Sequence, residues 1–242
     1  MSENIKKIMK AFMADLDSRE NQSIILKPST RPFNNQTHQV NEVAKKIYKL
    51  IEGTKHSNDD IILNHNKIKE AFFSPFEPQL KDAQVFLSHS HADKNKALKV
   101  KNYLESETNH RVFIDSLFWD YKDDVLNELA KYDNTSRIKD AFTLILRESL
   151  QNMIEKCPYF VFLESKNSVS NQGLPCTTYS AWVYEELKIA NSLIADSALQ
   201  ESRIKTMHVS HNITNLLRRF KSISLDGLYK KISFNFITKD LE

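Results

Sequence analysis

The chain has 242 residues, of which 40% are hydrophobic, and its formal net charge at neutral pH is +3. This length suits one large α/β domain with an appendage or two small domains, and so weak a net charge argues against a nucleic-acid-binding protein, although residues 201–242 are basic. The only glycines are Gly53, Gly173 and Gly227, which excludes the glycine-rich phosphate loops of Rossmann and P-loop proteins.

Residues 1–80 are predicted to form an N-terminal helical extension. A first apolar stripe with helical spacing consists of Ile5, Met9, Phe12 and Met13. A second helix is predicted from Val40 to Ile51, where Gly53 ends it, and a third from Asp59 to Phe73, before the two prolines of SPFEP.

From residue 81 the pattern becomes that of a parallel sheet. Short continuous apolar runs at 85–87, 112–114 and 159–163 are typical of strands buried on both faces. A helix with outward-facing lysines connects the first two strands, and two helices are predicted within 121–158, the first from about residue 122 to 132. Further along, the pattern predicts a strand at 204–209, a short helix around 216–217 and a half-buried strand at 232–237, where ISFNFI alternates.

Polar residues follow each of the three predicted central strands. Ser88, His89 and Ser90 follow the first, Asp115 the second and Ser165 the third. Because ligands of α/β proteins bind at the carboxyl ends of parallel strands, these positions are candidate ligand contacts.

The same residues have simpler interpretations. Ser88, Ser90 and Asp93 can cap the helix that follows, since their side chains accept hydrogen bonds from its free N–H groups. Asp115 is equally suited to capping and to ligand contact. His89 and His91 have no obvious third metal ligand, and the two cysteines form no zinc-binding pattern, so we expect no metal site.

One carboxylate falls on an apolar helix face. In a helix over 180–194, the apolar stripe contains Trp182, Glu186, Ile189 and Leu193. The solvent side contains Glu185, Lys188 and Ser192. Partial burial of Glu186 would raise its pKa and make it a candidate catalytic group. The alternative is that Glu186 lies at the edge of the stripe and caps a loop or pairs with a lysine.

The motifs VFLSHSHADK, VFIDS, FVFLES and SAWVYEEL occur in this order, and together they resemble the Toll/interleukin-1 receptor (TIR) domain. The resemblance covers residues 82–200 and is strongest to the bacterial TIR-like proteins of antiphage defence, such as the TIR component of Thoeris systems. It implies a flavodoxin-like fold over 81–242, with a five-stranded parallel sheet and helices on both faces.

The resemblance also implies an activity. Enzymes of this family cleave the nicotinamide–ribose bond of NAD, which is their substrate rather than a cofactor, and some make a nucleotide signal that activates an effector protein. The family's W-x-x-x-E pattern matches Trp182 and Glu186, which makes Glu186 the implied catalytic residue. The implied substrate contacts are Ser88, His89, Ser90, Asp115, Trp119, Ser165 and Trp182. His89 and Ser90 stand where other TIR domains often have an aromatic residue and an arginine.

Two non-enzymatic alternatives remain, a TIR adaptor that works by self-association and a sensor that binds a nucleotide without cleaving it. The family also implies a homo-oligomer. The first residues, MSENIKKIMK, lack the features of a signal peptide, and no apolar run reaches the length of a membrane span. We therefore expect a cytoplasmic protein that does not cross a membrane.

Overall fold

The computed structural model describes residues 9–27, 45–50, 65–73, 82–108, 110–131, 136–170, 176–194 and 211–237. The strands are β1 (Lys10–Asp15), β2 (Ala83–Ser88), β3 (Arg111–Ile114), β4 (Tyr159–Glu164), β5 (Thr177–Thr178), β6 (His211–Asn212) and β7 (Lys221–Ser222). The helices are α1 (Arg19–Ile25), α2 (His65–Phe73), α3 (Lys94–Thr108), α4 (Ser116–Leu129), α5 (Ser136–Lys156), α6 (Ala181–Leu193), α7 (Thr214–Leu217) and α8 (Leu225–Ile237). Residues 45–50 are also helical, and His91–Asp93 form one 3-10 turn.

The chain divides into two compact units. The sheet unit takes residues 1–32, 83–114 and 153–242, and the helical unit takes 33–82 and 115–152. In the helical unit, Phe72 of α2 packs edge-on against Phe142 of α5, with ring centroids 5.0 Å apart. Lys69 and Glu148 form an ion pair between the same two helices, with Nζ and Oε1 3.1 Å apart.

The sheet unit is built on a five-stranded sheet with the order β3-β2-β4-β1-β7, and every strand pair in it is parallel. The apolar residues of the neighbouring strands β2 and β4 are buried, as expected of strands covered on both faces. The rings of Phe86 and Phe160 stack between them, with centroids 5.5 Å apart. The predicted α/β architecture with a five-stranded parallel sheet is therefore confirmed, whereas its predicted bounds of 81–242 are not, because β1 lies at residues 10–15.

The connections reverse direction between β2 and β4. After β2 the chain passes through α3 to β3 at one edge of the sheet, whereas after β4 its next strand in this sheet is β7 at the opposite edge. In open α/β sheets, ligands bind outside the carboxyl ends of the strands at such a reversal. We call the position between the carboxyl ends of β2 and β4 the switch point.

The N-terminal region departs from the prediction. Instead of a helix around residues 5–13, Lys10–Asp15 form β1, which pairs with β4 along its whole length. A purely helical extension over 1–80 is therefore wrong for residues 10–15. β1 contains two alanines, so its only large apolar residues are Phe12 and Met13. Together with Ile5 and Met9 they have the spacing of a helix, which concealed the strand. The predicted helices near 40–51 and 59–73 are confirmed only over 45–50 and 65–73, since the remainder lies outside the described residues.

The C-terminal region departs from the prediction as well. Residues 232–237 belong to α8 and not to a strand. Over residues 225–233, where the structure describes the side chains, Leu225, Leu228 and Ile232 are buried at helical spacing. Ser224 begins this helix by accepting a hydrogen bond from the Gly227 N–H at 3.1 Å. The short helix near 216–217 is confirmed as α7, while the strand predicted at 204–209 lies outside the described residues.

Candidate functional site

Three neighbouring strands of the sheet unit end in polar residues at the same edge. β2 ends at Ser88, β4 ends at Glu164 and is followed by Ser165, and β1 ends at Asp15. Asp15 and Glu164 are register partners, so their backbones lie side by side. We call this end of the sheet the carboxyl edge.

Glu186 on α6 lies in the interior of the sheet unit, with 0% of its surface exposed. Its Oε2 accepts a hydrogen bond of 2.5 Å from the Ser88 hydroxyl at the end of β2. The helix begins after Ser180, whose Oγ accepts a hydrogen bond from the Val183 N–H at 3.2 Å. The structure thus brings together two residues that the sequence singled out 98 positions apart.

The buried face of α6 is rotated from the predicted one. Its buried residues are Val183, Glu186, Leu187, Ala190 and Asn191. Trp182, Ile189 and Leu193 are only half-buried, and Glu185 is half-buried instead of fully exposed. The burial of Glu186 was predicted correctly, although the stripe assigned to it was wrong in its other members. Trp182 lies one helical turn before Glu186, with part of its side chain open to solvent.

The turn after β2 is largely buried. His89 and Ser90 are both buried, whereas His91 is exposed. Ser90 precedes the 3-10 turn without a side-chain capping bond, and Ser88 donates to Glu186, so capping does not explain either serine. Among the described residues, no group of three or more His, Cys, Asp or Glu side chains is placed to hold a metal ion.

The buried Asp93 is the centre of a second network, which reaches the surface at Asn167 and Asp17. Its Oδ2 accepts from the Ser165 hydroxyl at 2.5 Å, and its Oδ1 accepts from the Asn167 side-chain amide at 2.9 Å. The Lys96 ammonium lies 3.5 Å from Asp93 Oδ1 and 3.1 Å from Asp17 Oδ1. The loops after β1, β2 and β4 are therefore linked by two carboxylates and one ammonium.

Two carboxyl groups at this edge have pKa values shifted in opposite directions. Burial pushes the pKa of Asp17 upward, but the hydrogen bond from the Lys166 N–H and the bond and charge of Lys96 outweigh it, so its pKa is lowered. The pKa of Glu164 is raised, mainly by burial and further by the negative charge of Asp15.

A cleft of about 680 Å³ opens between the loops that follow β1 and β4. It is lined by Asp15, Asp17, Glu164, Ser165, Lys166, Val169 and Ser170. Its volume lies in the range of ligand pockets. Glu186 is not among these lining residues, so the cleft and the buried glutamate are neighbouring features of the carboxyl edge and not one open pocket.

The remaining predicted site residues lie in the helical unit. Asp115 is buried directly after β3, and at the start of α4 it makes no capping hydrogen bond with the described residues. Trp119 belongs to α4, but its side chain lies outside the part that the structure describes. The sequence reasoning missed Asp17, Lys96 and Asn167 altogether, and for Asp93 it offered only a capping role.

Comparison with known proteins adds no relative. No protein-family model, no curated protein and no solved structure matches this chain. Within the described ranges, none of the helices combines the length and apolar character needed to cross a membrane.

Proposed function

We propose that this chain is a TIR-like enzyme that cleaves the nicotinamide–ribose bond of NAD, with Glu186 as its catalytic carboxylate. The observation that carries the proposal is the fully buried Glu186 bonded to Ser88 at the carboxyl end of β2. This contact joins SHSHAD and SAWVYEEL, two of the four motifs that carry the family resemblance. It also places the carboxylate beside a strand that borders the switch point, where α/β sheets bind ligands.

The strand order supports a flavodoxin-like sheet. Flavodoxin-like sheets have the order 2-1-3-4-5. If β2, β3 and β4 are taken as the first three strands, β1 and β7 fill the fourth and fifth positions of that order. The N-terminal strand then occupies a position that the family fills from a later part of the chain, so we propose a TIR fold with one permuted strand.

The chemistry suits a single carboxylate. Departure of nicotinamide leaves positive charge on the ribose, and a carboxylate beside it is worth more in the transition state than in the ground state. A buried carboxylate acts in a low local dielectric, which strengthens this effect. Because nicotinamide leaves from a cationic ring, no general acid is needed, in contrast to the carboxyl pairs of O-glycosidases.

The other residues take supporting roles in this proposal. Ser88 holds the Glu186 carboxylate in one orientation, and the half-exposed Trp182 is available to stack on a ring of the substrate. His89, Ser90 and Asp115 remain proposed substrate contacts. The carboxylate-rich cleft beside the switch point suits ribose hydroxyls or the cationic nicotinamide better than the diphosphate, which the carboxylates repel.

Complete burial of Glu186 has a consequence for the mechanism. A ribose can touch this carboxylate only after part of its cover moves, so the proposed enzyme binds NAD with a conformational step. The same burial favours a second candidate, in which Glu186 only fixes α6 to β2 and the protein binds a nucleotide, or a second copy of itself, without cleavage.

The biological role follows from the resemblance alone. We propose that the enzyme consumes NAD in bacterial antiphage defence, either by releasing ADP-ribose or by making a cyclised or conjugated product that activates an effector protein. We further propose that it acts as a homo-oligomer in the cytoplasm.

The test uses two adjacent glutamates of one helix. Purified wild type, Glu186→Gln and the control Glu185→Gln are incubated with NAD, with and without lysate of phage-infected cells, and nicotinamide release and product mass are measured. We expect Glu186→Gln to lower the rate at least about a hundredfold while Glu185→Gln stays within about threefold. Activity retained by folded Glu186→Gln would overturn the assignment, and NAD binding without nicotinamide release by any form would favour the sensor.

A further inference from the structure

Asp93 links the two loops that border the switch point. Its side chain is in the turn after β2, and only 2% of the residue is exposed. Its partners, Ser165 and Asn167, are both in the turn after β4, where they bond to Oδ2 and Oδ1 respectively. One buried carboxylate therefore joins the two sides of the position where the proposed substrate binds.

Ser165 has no hydrogen-bonding capacity left for a substrate. A serine hydroxyl has one proton to donate and two lone pairs to accept with. The Ser165 hydroxyl donates to Asp93 and accepts from the backbone N–H groups of Asn167 at 3.0 Å and Ser168 at 3.2 Å. Ser165 was assigned as a substrate contact because it follows a strand. Its hydrogen bonds instead stabilise the turn after β4, and we call Asp93, Ser165 and Asn167 the frame of this turn.

Lys96 connects this frame to the loop after β1. Its ammonium lies between the carboxylates of Asp93 and Asp17, and Asp17 Oδ2 also accepts from the Lys166 N–H at 3.2 Å. Both carboxylates that Lys96 contacts thus accept hydrogen bonds from the turn after β4, so this turn is bonded to the loop after β1 and to the turn after β2.

We propose that Asp93 is a positioning residue for the NAD site: through Ser165 and Asn167 it holds residues 165–168 against the turn after β2. This inference rests on the proposed function for its substrate. Asp93 touches no reacting atom in this scheme, because only 2% of it is exposed and both of its carboxylate oxygens accept hydrogen bonds from the turn after β4. It therefore governs how well the site accepts NAD and has little effect on the chemical step.

The test is a swap that restores the hydrogen bond between positions 93 and 167. In Asp93→Asn, the new amide can accept from Ser165, but its NH2 group then faces the NH2 group of Asn167. Adding Asn167→Asp lets that amide donate to the new carboxylate, so the double variant regains the lost contact. Ser165→Ala, which removes all three hydrogen bonds of that hydroxyl, serves as a second variant that should accelerate exchange at the same residues. Asp226→Asn, in an exposed pair with Lys230, is the control.

Two readouts separate this proposal from the proposed function. Without NAD, amide hydrogen exchange at Asn167 and Ser168 is expected to accelerate about tenfold in Asp93→Asn and to recover in the double variant. With NAD, the single variant is expected to raise KM about tenfold and to change kcat by less than about threefold. The positioning role would be overturned if Asp93→Asn left the exchange at Asn167 and Ser168 unchanged or lowered kcat more than it raised KM. A double variant as defective as Asp93→Asn in both readouts would overturn it as well. If the wild type cleaves no NAD, the proposed function fails, while the exchange result still decides whether Asp93 holds the turn.

Discussion

The middle of the sheet and its carboxyl edge are built from the same strands with opposite chemistry. In β4, Phe160 to Leu163 are fully buried and apolar, and the next residue, Glu164, is half-buried and charged. The middle is held by ring packing, while the edge is held by charge-assisted hydrogen bonds among Asp93, Lys96 and Asp17. The contrast teaches that two kinds of contact hold one strand, so substitutions one strand position apart should change stability by different amounts and with different dependence on pH.

The middle of the sheet should show the largest effect on stability. Phe160 is fully buried, stacks on Phe86 and meets the Phe220 ring edge-on at 5.5 Å. We expect Phe160→Ala to lower the free energy of unfolding by about 3–5 kcal/mol, because it removes apolar contacts and leaves a cavity. Urea unfolding measures this. Leu26→Ala, at a side chain 71% exposed in the same unit, is the control and should stay within about 0.5 kcal/mol. If Phe160→Ala lowers the free energy of unfolding by less than about 0.5 kcal/mol, ring packing in the middle does not stabilise the sheet.

The Ser88–Glu186 bond should have an intermediate effect. Ser88→Ala removes a donor from a buried carboxylate, so we expect a loss of about 1.5–3 kcal/mol in the free energy of unfolding. The measurement is a double-mutant cycle with Glu186→Gln, in which the second substitution should cost less than it does alone. Strict additivity of the two losses would contradict a direct interaction.

Asp17 should stabilise the protein only when it is ionised. Its pKa is lowered in the folded chain, so its contribution is present above its ordinary value of 3.8 and is lost as pH falls through the lower, folded value. Because its side chain is partly exposed, we expect Asp17→Asn to cost no more than about 1 kcal/mol at neutral pH. Unfolding curves at several pH values should show the variant and the wild type converging in acid. A gap that persists below the folded pKa would point to a cause other than charge.

Glu164 should behave in the opposite way and have the smallest effect. Its pKa is raised, so stability is greatest when the group is protonated and declines as pH rises from its ordinary value of 4.5 through the folded one. Glu164→Gln should therefore be slightly more stable than the wild type at neutral pH, by less than about 1 kcal/mol, and should lose this advantage in acid. The same pH series checks it, and a destabilised variant at neutral pH would contradict the sign.

The sequence predicted the centre of the sheet better than its surroundings. β2, β3 and β4 were found because strands buried on both faces give continuous apolar runs. β1 and α8 were misread because each has a local spacing that fits the wrong period over a few residues. The pairing of β1 with β4 is a tertiary contact between segments 149 residues apart, and no local pattern encodes it.

The candidate site also has one part that the sequence predicted and one part that it did not. Glu186 was predictable because a carboxylate on an apolar helix is anomalous within a single helical window. The Asp93 network was not, since Asp93 and Ser165 are 72 residues apart and the Lys166 N–H reaches Asp17 across 149. Polar residues at strand ends identify the carboxyl edge of the sheet from the sequence. Only the fold shows which of their side chains bond within a turn and which lie beside the switch point.

The central claim is that NAD binds at the switch point, and its most direct test is hydrogen exchange of Glu186→Gln with and without NAD. This variant should bind NAD without consuming it, so the complex persists during labelling. We expect slower exchange in residues 88–93 and 165–170 and at the start of α6, with β7 and α7 unchanged. Protection confined to other segments, or none at NAD concentrations that saturate the wild type, would contradict the account.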